Sequence, residues 1–215
     1  MKIRIWDLPL RLFHWLLVLA VIGSFVSVKL GGNAMAWHGR FGYLVLTLIF
    51  FRLIWGFVGT HHARFSQFIK SPKAILAYLK NPSETPGHSP VGAISVLVLL
   101  GLFLTQALAG LFATDDIAFD GPLAKYVASV WVELLTSFHR WNEWVLLGLV
   151  ATHIGAILYY KYAKKINLTS AMITGDKELE GAASLAPLIQ DDTKVRLKAM
   201  AILIAIALIM YYFLR

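Results

Sequence analysis

No cysteine occurs among the 215 residues. That absence excludes disulfides, cysteine-ligated iron–sulfur clusters, thiolate zinc sites and covalently attached c-type haem. Charge is also scarce, at 15% of residues, and Asp and Glu together number only 12. None of those carboxylates falls in the middle of an apolar run, which argues against an intramembrane proton relay of the kind built on Asp or Glu. No G-x-G-x-x-G follows a strand pattern, so direct nicotinamide or flavin chemistry has no motif to rest on. No internal repeat stands out.

What the chain does have is apolar length. It is 58% hydrophobic with a mean hydropathy of +0.67, far from the balance of a soluble domain. A bilayer-spanning helix needs about 20 apolar residues, and five segments approach or exceed that: Leu8–Val28, Phe41–Val58, Val91–Thr114, Phe138–Tyr160 and Ala199–Leu214. The last is shortest, and Val195 to Lys198 must snorkel at its entry. The first segment carries a histidine and lacks a small-residue cleavage site, so it reads as a retained span rather than a signal peptide. The expectation is an all-α integral membrane protein: a four-helix bundle plus a fifth, C-terminal helix. The domain reading is residues 1–165 as the membrane core, 166–194 as a polar, flexible cytoplasmic linker, and 195–215 as the added span.

The net charge of +8 is distributed by side. With five crossings, fifteen of the twenty Lys and Arg residues share the side of the N-terminus. Lys29, Arg40, Lys125, Arg140 and Arg215 lie opposite. The positive-inside rule then places the N-terminus in the cytoplasm and the C-terminus outside. The basic charge is thus a topology signal with attraction to anionic lipid, not a nucleic-acid footprint. Trp37, Trp55, Trp131, Trp141 and Trp144 fall near span ends, as an interfacial aromatic belt does. Between the second and third spans, "FSQFIKSPKAILAYLK" has the spacing of an amphipathic interfacial helix, and "NPSETPGHSP" breaks structure after it. Outside, "LAKYVASVWVELL" reads as a short surface helix ahead of the fourth span.

Seven histidines divide into two groups. His61, His62 and His88 fall in the connection after the second span and are expected to be solvated. His14, His38, His139 and His153 sit in spans or at their ends, where an unpaired imidazole is costly. His139 and His153, fourteen residues apart, share one helix face at depths differing by about 21 Å. Counting from either surface, His14 matches His153 in depth and His38 matches His139. Two imidazoles from different helices at one level are what six-coordinate haem b requires, and bis-histidine ligation leaves no open position for oxygen chemistry. Two haem b groups are therefore expected, on the pairs His14/His153 and His38/His139. A structural metal fits less well, since neither level adds carboxylates or thiolates. Haem carboxylates need cations: Arg40 and Arg140 lie beside the outer level, Arg11 and Arg52 toward the cytoplasmic one, either as bidentate partners or as snorkelling anchors. Gly39, Gly42, Gly148 and Gly155 give room for a flat macrocycle or for close helix contacts.

The stretches "WDLPLRLFHWLLVL", "HGRFGYLVLTLIFFRLIWGFVG" and "PGHSPVGAISVLVLLGLFLTQALAGLF", with the late two-histidine helix, resemble the prokaryotic cytochrome b561 family. That family includes the b-type cytochrome subunits of nickel–iron hydrogenases. The resemblance runs from about Ile5 to Lys165 and has no counterpart for the fifth helix. It implies a four-helix bundle with two haem b groups held by His14, His38, His139 and His153, the same four residues. It also implies electron exchange with quinone and with a redox protein, here a c-type cytochrome or a periplasmic oxidoreductase, within the bacterial inner membrane, as a homo- or hetero-oligomer. The competing readings are a cofactor-free anchor or transporter subunit, and a stand-alone quinone or superoxide oxidoreductase.

Overall fold

The computed structural model describes residues 1–117, 119–179 and 187–213. In chain order these form β1 (Lys2–Arg4), α1 (Leu8–Leu30), α2 (Met35–Val58), α3 (Phe65–Phe68), α4 (Pro72–Lys80), α5 (Pro90–Gly110), α6 (Ser129–Tyr162), α7 (Leu168–Thr174), β2 (Asp176–Glu178) and α8 (Thr193–Phe213). Among the described residues, α1, α2, α5, α6 and α8 are long and apolar enough to cross a bilayer. The protein is an all-α membrane protein, and Leu19, Phe57, Leu108, Ile154 and Leu208 show the outward apolar surface that lipid would cover.

Several helices start at side-chain caps that can be read in the sequence. Asp7 Oδ1 accepts the Leu10 amide at 2.7 Å at the head of α1. Ser71 Oγ accepts the Ala74 amide before α4, and Ser89 Oγ accepts the Gly92 amide before α5. In the last two, proline follows the cap, where its fixed φ suits the first turn and its missing N–H costs nothing. Asn167 and Asp192 do the same for α7 and α8.

The chain divides into two compact units. The first comprises Met1–Leu12, Arg52–Val98 and Ala151–Ala201. Here β1 pairs antiparallel with β2, Ile3 opposite Lys177. Gly175 makes this possible: it ends α7 at φ +89°, a left-handed turn that favours glycine, and its carbonyl accepts the Ile5 and Trp6 amides. An ion cluster reinforces the pairing, with Arg4 on Asp176 and Asp191, and Arg196 also on Asp191. Trp55 is buried, and its indole donates to Asp7 Oδ2 at 3.1 Å, an oxygen that also accepts the Thr60 hydroxyl.

The second unit comprises Phe13–Phe51, Leu99–Val150 and Ile202–Arg215. Its enclosed side chains include Phe13, Ala20, Leu46, Leu48 and Ile49, with Ser27, Thr136 and Asn142 as buried polar residues. Lys29 pairs with Glu143 at 2.8 Å.

Four expectations need correction. The stretch after the fourth span is not simply flexible: through Glu178 it folds as α7 and β2, locked to the N-terminus by residues more than 170 positions away. The separate surface helix before the fourth span does not exist as such. Ala124–Tyr126 make one 3-10 turn, and α6 then runs unbroken from Ser129, because nothing from Ser129 onward interrupts a helix. The interfacial helix is two helices, broken at Ile69–Ser71 where Pro72 forbids continuation. Trp55 is no belt residue but a buried hydrogen-bond donor, whereas Trp37, Trp131, Trp141 and Trp144 are exposed.

Candidate functional site

His38 on α2 and His139 on α6 stand face to edge in the second unit, ring centroids 6.0 Å apart and planes at 88°. Each ring has one nitrogen already engaged. His38 Nδ1 lies 2.9 Å from the Ser24 carbonyl and 3.1 Å from Ser24 Oγ. His139 Nδ1 lies 2.9 Å from the Gln106 carbonyl. A carbonyl oxygen only accepts, so both rings donate from Nδ1 and keep the Nε2 lone pair free. That is the arrangement by which proteins fix ligand histidines.

The spacing suits a shared metal. With bonds of about 2.0–2.1 Å and ~1.1 Å from nitrogen to ring centre, two imidazoles on one ion have centres about 6 Å apart. Both rings line a cavity of about 510 Å³, within the range of small-molecule and cofactor pockets. Its walls are mostly apolar, from Val21, Phe25, Tyr43, Phe103 and Leu147. Two histidines alone with no third protein donor do not make a zinc site, and among the described residues no cluster of three or more His, Cys, Asp or Glu forms. A planar cofactor whose iron already has four ring nitrogens needs only these two. The residues present fit haem.

Glycines shape the walls. A Cβ on Gly110 would meet His139 Cε1 at 2.9 Å, so α5 can pass the ring only without a side chain there. A Cβ on Gly42 would enter open space in the cavity wall, consistent with a cofactor lying against that helix. Gly39 is different: the Phe119 ring already covers it, so its room goes to packing. Gly148 and Gly155 meet open space too.

The outer arginines separate. Arg140 lines the cavity and reaches the Thr114 carbonyl at 3.4 Å. Arg40 is exposed and stacks on Trp37 at 4.7 Å. Glu143 and Asp115 also line the cavity.

The other predicted pair falls in different units, His14 in the second and His153 in the first. His14 packs edge-on against Trp15 at 5.0 Å. Arg11 is committed elsewhere, donating to the Ile173 carbonyl at 2.6 Å and lying 3.6 Å from Asp191. Arg52 is 2% exposed, with both terminal guanidinium nitrogens lacking acceptors.

The three connection histidines are partly withdrawn from solvent: His62 is buried, and His61 and His88 are half-buried. His62 is buried and its Nε2 meets the Pro187 carbonyl at 3.1 Å, while the Nδ1 atoms of His61 and His88 are inaccessible. Burial pushes the His62 imidazole down despite that carbonyl. Burial, aided by the charges of Arg52, His62 and His153, pushes His88 down to about 3. The loop packs under Trp6, which stacks on His88 at 4.7 Å, and this long-range closure leaves no local trace.

Residues that the sequence reading passed over are Ser24, Gln106, Gly110 and Asn142. Asn142 Nδ2 donates to Gln106 Oε1 at 3.0 Å, and Gln106 Nε2 donates to the His139 carbonyl at 3.0 Å. The available signal was polarity inside an apolar span, since an amide there needs a partner.

The family profile described as prokaryotic cytochrome b561 matches residues 5–175. Among curated proteins, the chain is 22% identical to a protein of Rhizobium leguminosarum bv. viciae, covering 82% of this chain and 89% of that one. It is 24% identical to one of Bradyrhizobium diazoefficiens, over 82% and 86%, and 24% identical to one of Azotobacter vinelandii, over 80% and 87%. All three bear the name "Probable Ni/Fe-hydrogenase B-type cytochrome subunit". No solved structure matches the chain.

Proposed function

The chain belongs to the prokaryotic cytochrome b561 family, and from that premise we propose that it carries electrons through two haem b groups between quinone and a redox enzyme outside the cytoplasm. Membership makes it a multi-pass inner-membrane b-type cytochrome of electron transport. The observation that carries the proposal is the His38/His139 pair, each ring tethered at Nδ1 and both facing one apolar cavity.

In this reading His38 and His139 hold one haem by Nε2, and His14 and His153 hold the second. Bound haem supplies reversible one-electron oxidation and reduction of its iron. The chain's own residues do the rest. Ser24 and Gln106 keep the two outer imidazoles in the tautomer that can ligate, and two histidine ligands would leave oxygen no position on the iron. Apolar walls keep water out and set the local dielectric, hence the potential. Arg140 and Arg40 are assigned to the carboxylates of the outer haem, Arg52 and Arg11 to those of the inner one. Arg11 is the weakest of the four, given its bonds to Ile173 and Asp191. The relatives are named as hydrogenase subunits, so a hydrogenase-type enzyme is the first partner to test, with a c-type cytochrome or another periplasmic oxidoreductase next. The N-terminus is assigned to the cytoplasm from the distribution of basic residues.

Reduction of the purified protein with dithionite should give b-type bands, and a pyridine haemochrome assay should count two haems per chain. His139→Ala should lose one haem and spare the other. A chain without haem, or loss of both haems from a folded variant, refutes the respective part of the assignment.

A further inference from the structure

In the first unit, a group of donors has no acceptors. Arg52 is 2% exposed, its guanidinium carbon 4.8 Å from the Phe65 ring centre and 5.9 Å from that of Phe68. Neither Nη1 nor Nη2 has a hydrogen-bond partner. The neighbouring buried carboxylate, Asp7, is taken up by the Leu10 amide, the Trp55 indole and the Thr60 hydroxyl. It makes no ion pair with Arg52. The Phe68 ring also lies 4.7 Å from that of His88, which is 4.7 Å from Trp6 and has its Nδ1 enclosed and unpartnered. His61 Nδ1 is in the same condition, and its ring stands 4.9 Å from that of His62.

A guanidinium removed from water with both amino groups unmatched is strongly unfavourable. Aromatic faces compensate in part, but they give its N–H groups no acceptor in the plane. Arginine in such a pocket is complementary to a group with two oxygens, because its fork of donors matches that geometry. The His88 imidazole can donate one further hydrogen bond from Nδ1. The cluster presents donors and the positive charge of Arg52, while the carboxylate beside it, Asp7, has both oxygens engaged elsewhere.

We propose that Arg52 and His88 form an enclosed oxyanion receptor that takes a carboxylate or phosphate group. Two sources can supply that chemistry to a membrane protein: a carboxylate of bound haem, which rests on the reading above, or the phosphate of an anionic phospholipid. His153, assigned there as a haem ligand, lies in the same unit and is near enough for its charge to bear on His88, which favours the haem carboxylate. His88 thereby becomes an anion-positioning residue, although sequence placed it in solvent.

The test uses the full-length protein in detergent, comparing wild type with Arg52→Gln, Arg52→Lys and His88→Gln. Three properties are measured: haem release to excess apomyoglobin, haem-carboxylate bands in reduced-minus-oxidised infrared spectra, and protein-bound phosphorus after delipidation. If the occupant is a haem carboxylate, Arg52→Gln speeds release of one haem roughly ten- to a hundredfold, the worth of one charge-assisted hydrogen bond. The carboxylate bands then shift, His88→Gln acts in the same direction, and Arg52→Lys acts less. If it is a lipid phosphate, haem release is unchanged and tightly bound phosphorus is lost from Arg52→Gln. Variants that melt like wild type yet change none of the three overturn the proposal. A wild-type protein without b-type bands would refute the haem reading while the phosphorus measurement still decides the receptor.

Discussion

Gly110→Ala is the most direct challenge to the outer site. The added Cβ would lie 2.9 Å from His139 Cε1 and 3.3 Å from Nδ1. Ordinary carbon contacts begin near ~3.5 Å, so the ring must retreat by about half an ångström. That is about the tolerance within which a ligand set must be held. The retreat also strains the 2.9 Å bond from His139 Nδ1 to the Gln106 carbonyl. Losing the outer partner of a ligand histidine typically lowers metal affinity 10- to 100-fold, or about 1.4–2.7 kcal/mol. The fold itself should hardly change. Gly110 is the last residue of α5, so alanine neither breaks a helix interior nor gains the full ~1 kcal/mol of propensity. The assay is haem per chain from the reduced b-type bands, followed through gel filtration, with Gly101→Ala as control because its Cβ meets open space. Full haem retention and an unchanged midpoint potential in Gly110→Ala would refute the placement of His139 as a ligand held between Gln106 and Gly110.

Two further outcomes follow from the first unit. Asp7→Ala strands the Trp55 indole, the Thr60 hydroxyl and the Leu10 amide; at about 1–3 kcal/mol for a buried unsatisfied group, partly relieved by water, the loss should be about 2–4 kcal/mol, read as a lower midpoint of thermal unfolding in detergent. In protein stripped of haem and lipid, acid should destabilise the same unit through His88: its imidazole is held down to about 3 when folded and returns to about 6.5 when unfolded. The unfolded chain therefore takes up the proton first, and stability falls as pH drops below about 6.5, by at most about 2 kcal/mol at pH 5. A pH series of melting curves should show that decline, and His88→Gln should flatten it.

The five spans were legible because bilayer thickness demands an unbroken apolar length, and no other feature of this sequence imitates it. The level shared by His38 and His139 was legible for a related reason: an imidazole in an apolar helix must be accounted for, and topology fixes its depth. Helix starts at Asp7, Ser71 and Ser89 were within reach of the same kind of reading, since capping is local. What the sequence hid was non-local. Arg4 meets Asp176, and Arg11 is drawn toward Asp191, across more than 170 positions, and no periodicity announces either. The cover over His88 and His62 likewise comes from Trp6 and Pro187, distant in sequence. A connection rich in proline and polar residues looks solvated until something covers it.

The polar residues of the second unit share one further property. Ser24 Oγ lies on the His38 ring, the Gln106 side chain donates to the His139 backbone carbonyl, and Asn142 donates to Gln106. In an apolar span each of these side chains is costly unless matched, and an aliphatic residue of similar size would pack as well. Yet their hydrogen bonds gather at the two histidines, Ser24 Oγ at the His38 ring and the two amides at the backbone that carries His139, rather than linking helices at random. The arrangement therefore does more for direction than for cohesion: Ser24 Oγ bears on the His38 ring itself, and the Gln106 side chain fixes α5 against α6 where its own backbone carbonyl meets His139 Nδ1. If positioning is the role, Gln106→Leu should leave the melting temperature close to wild type while broadening or shifting the haem spectrum. A network that only held helices together would do the reverse.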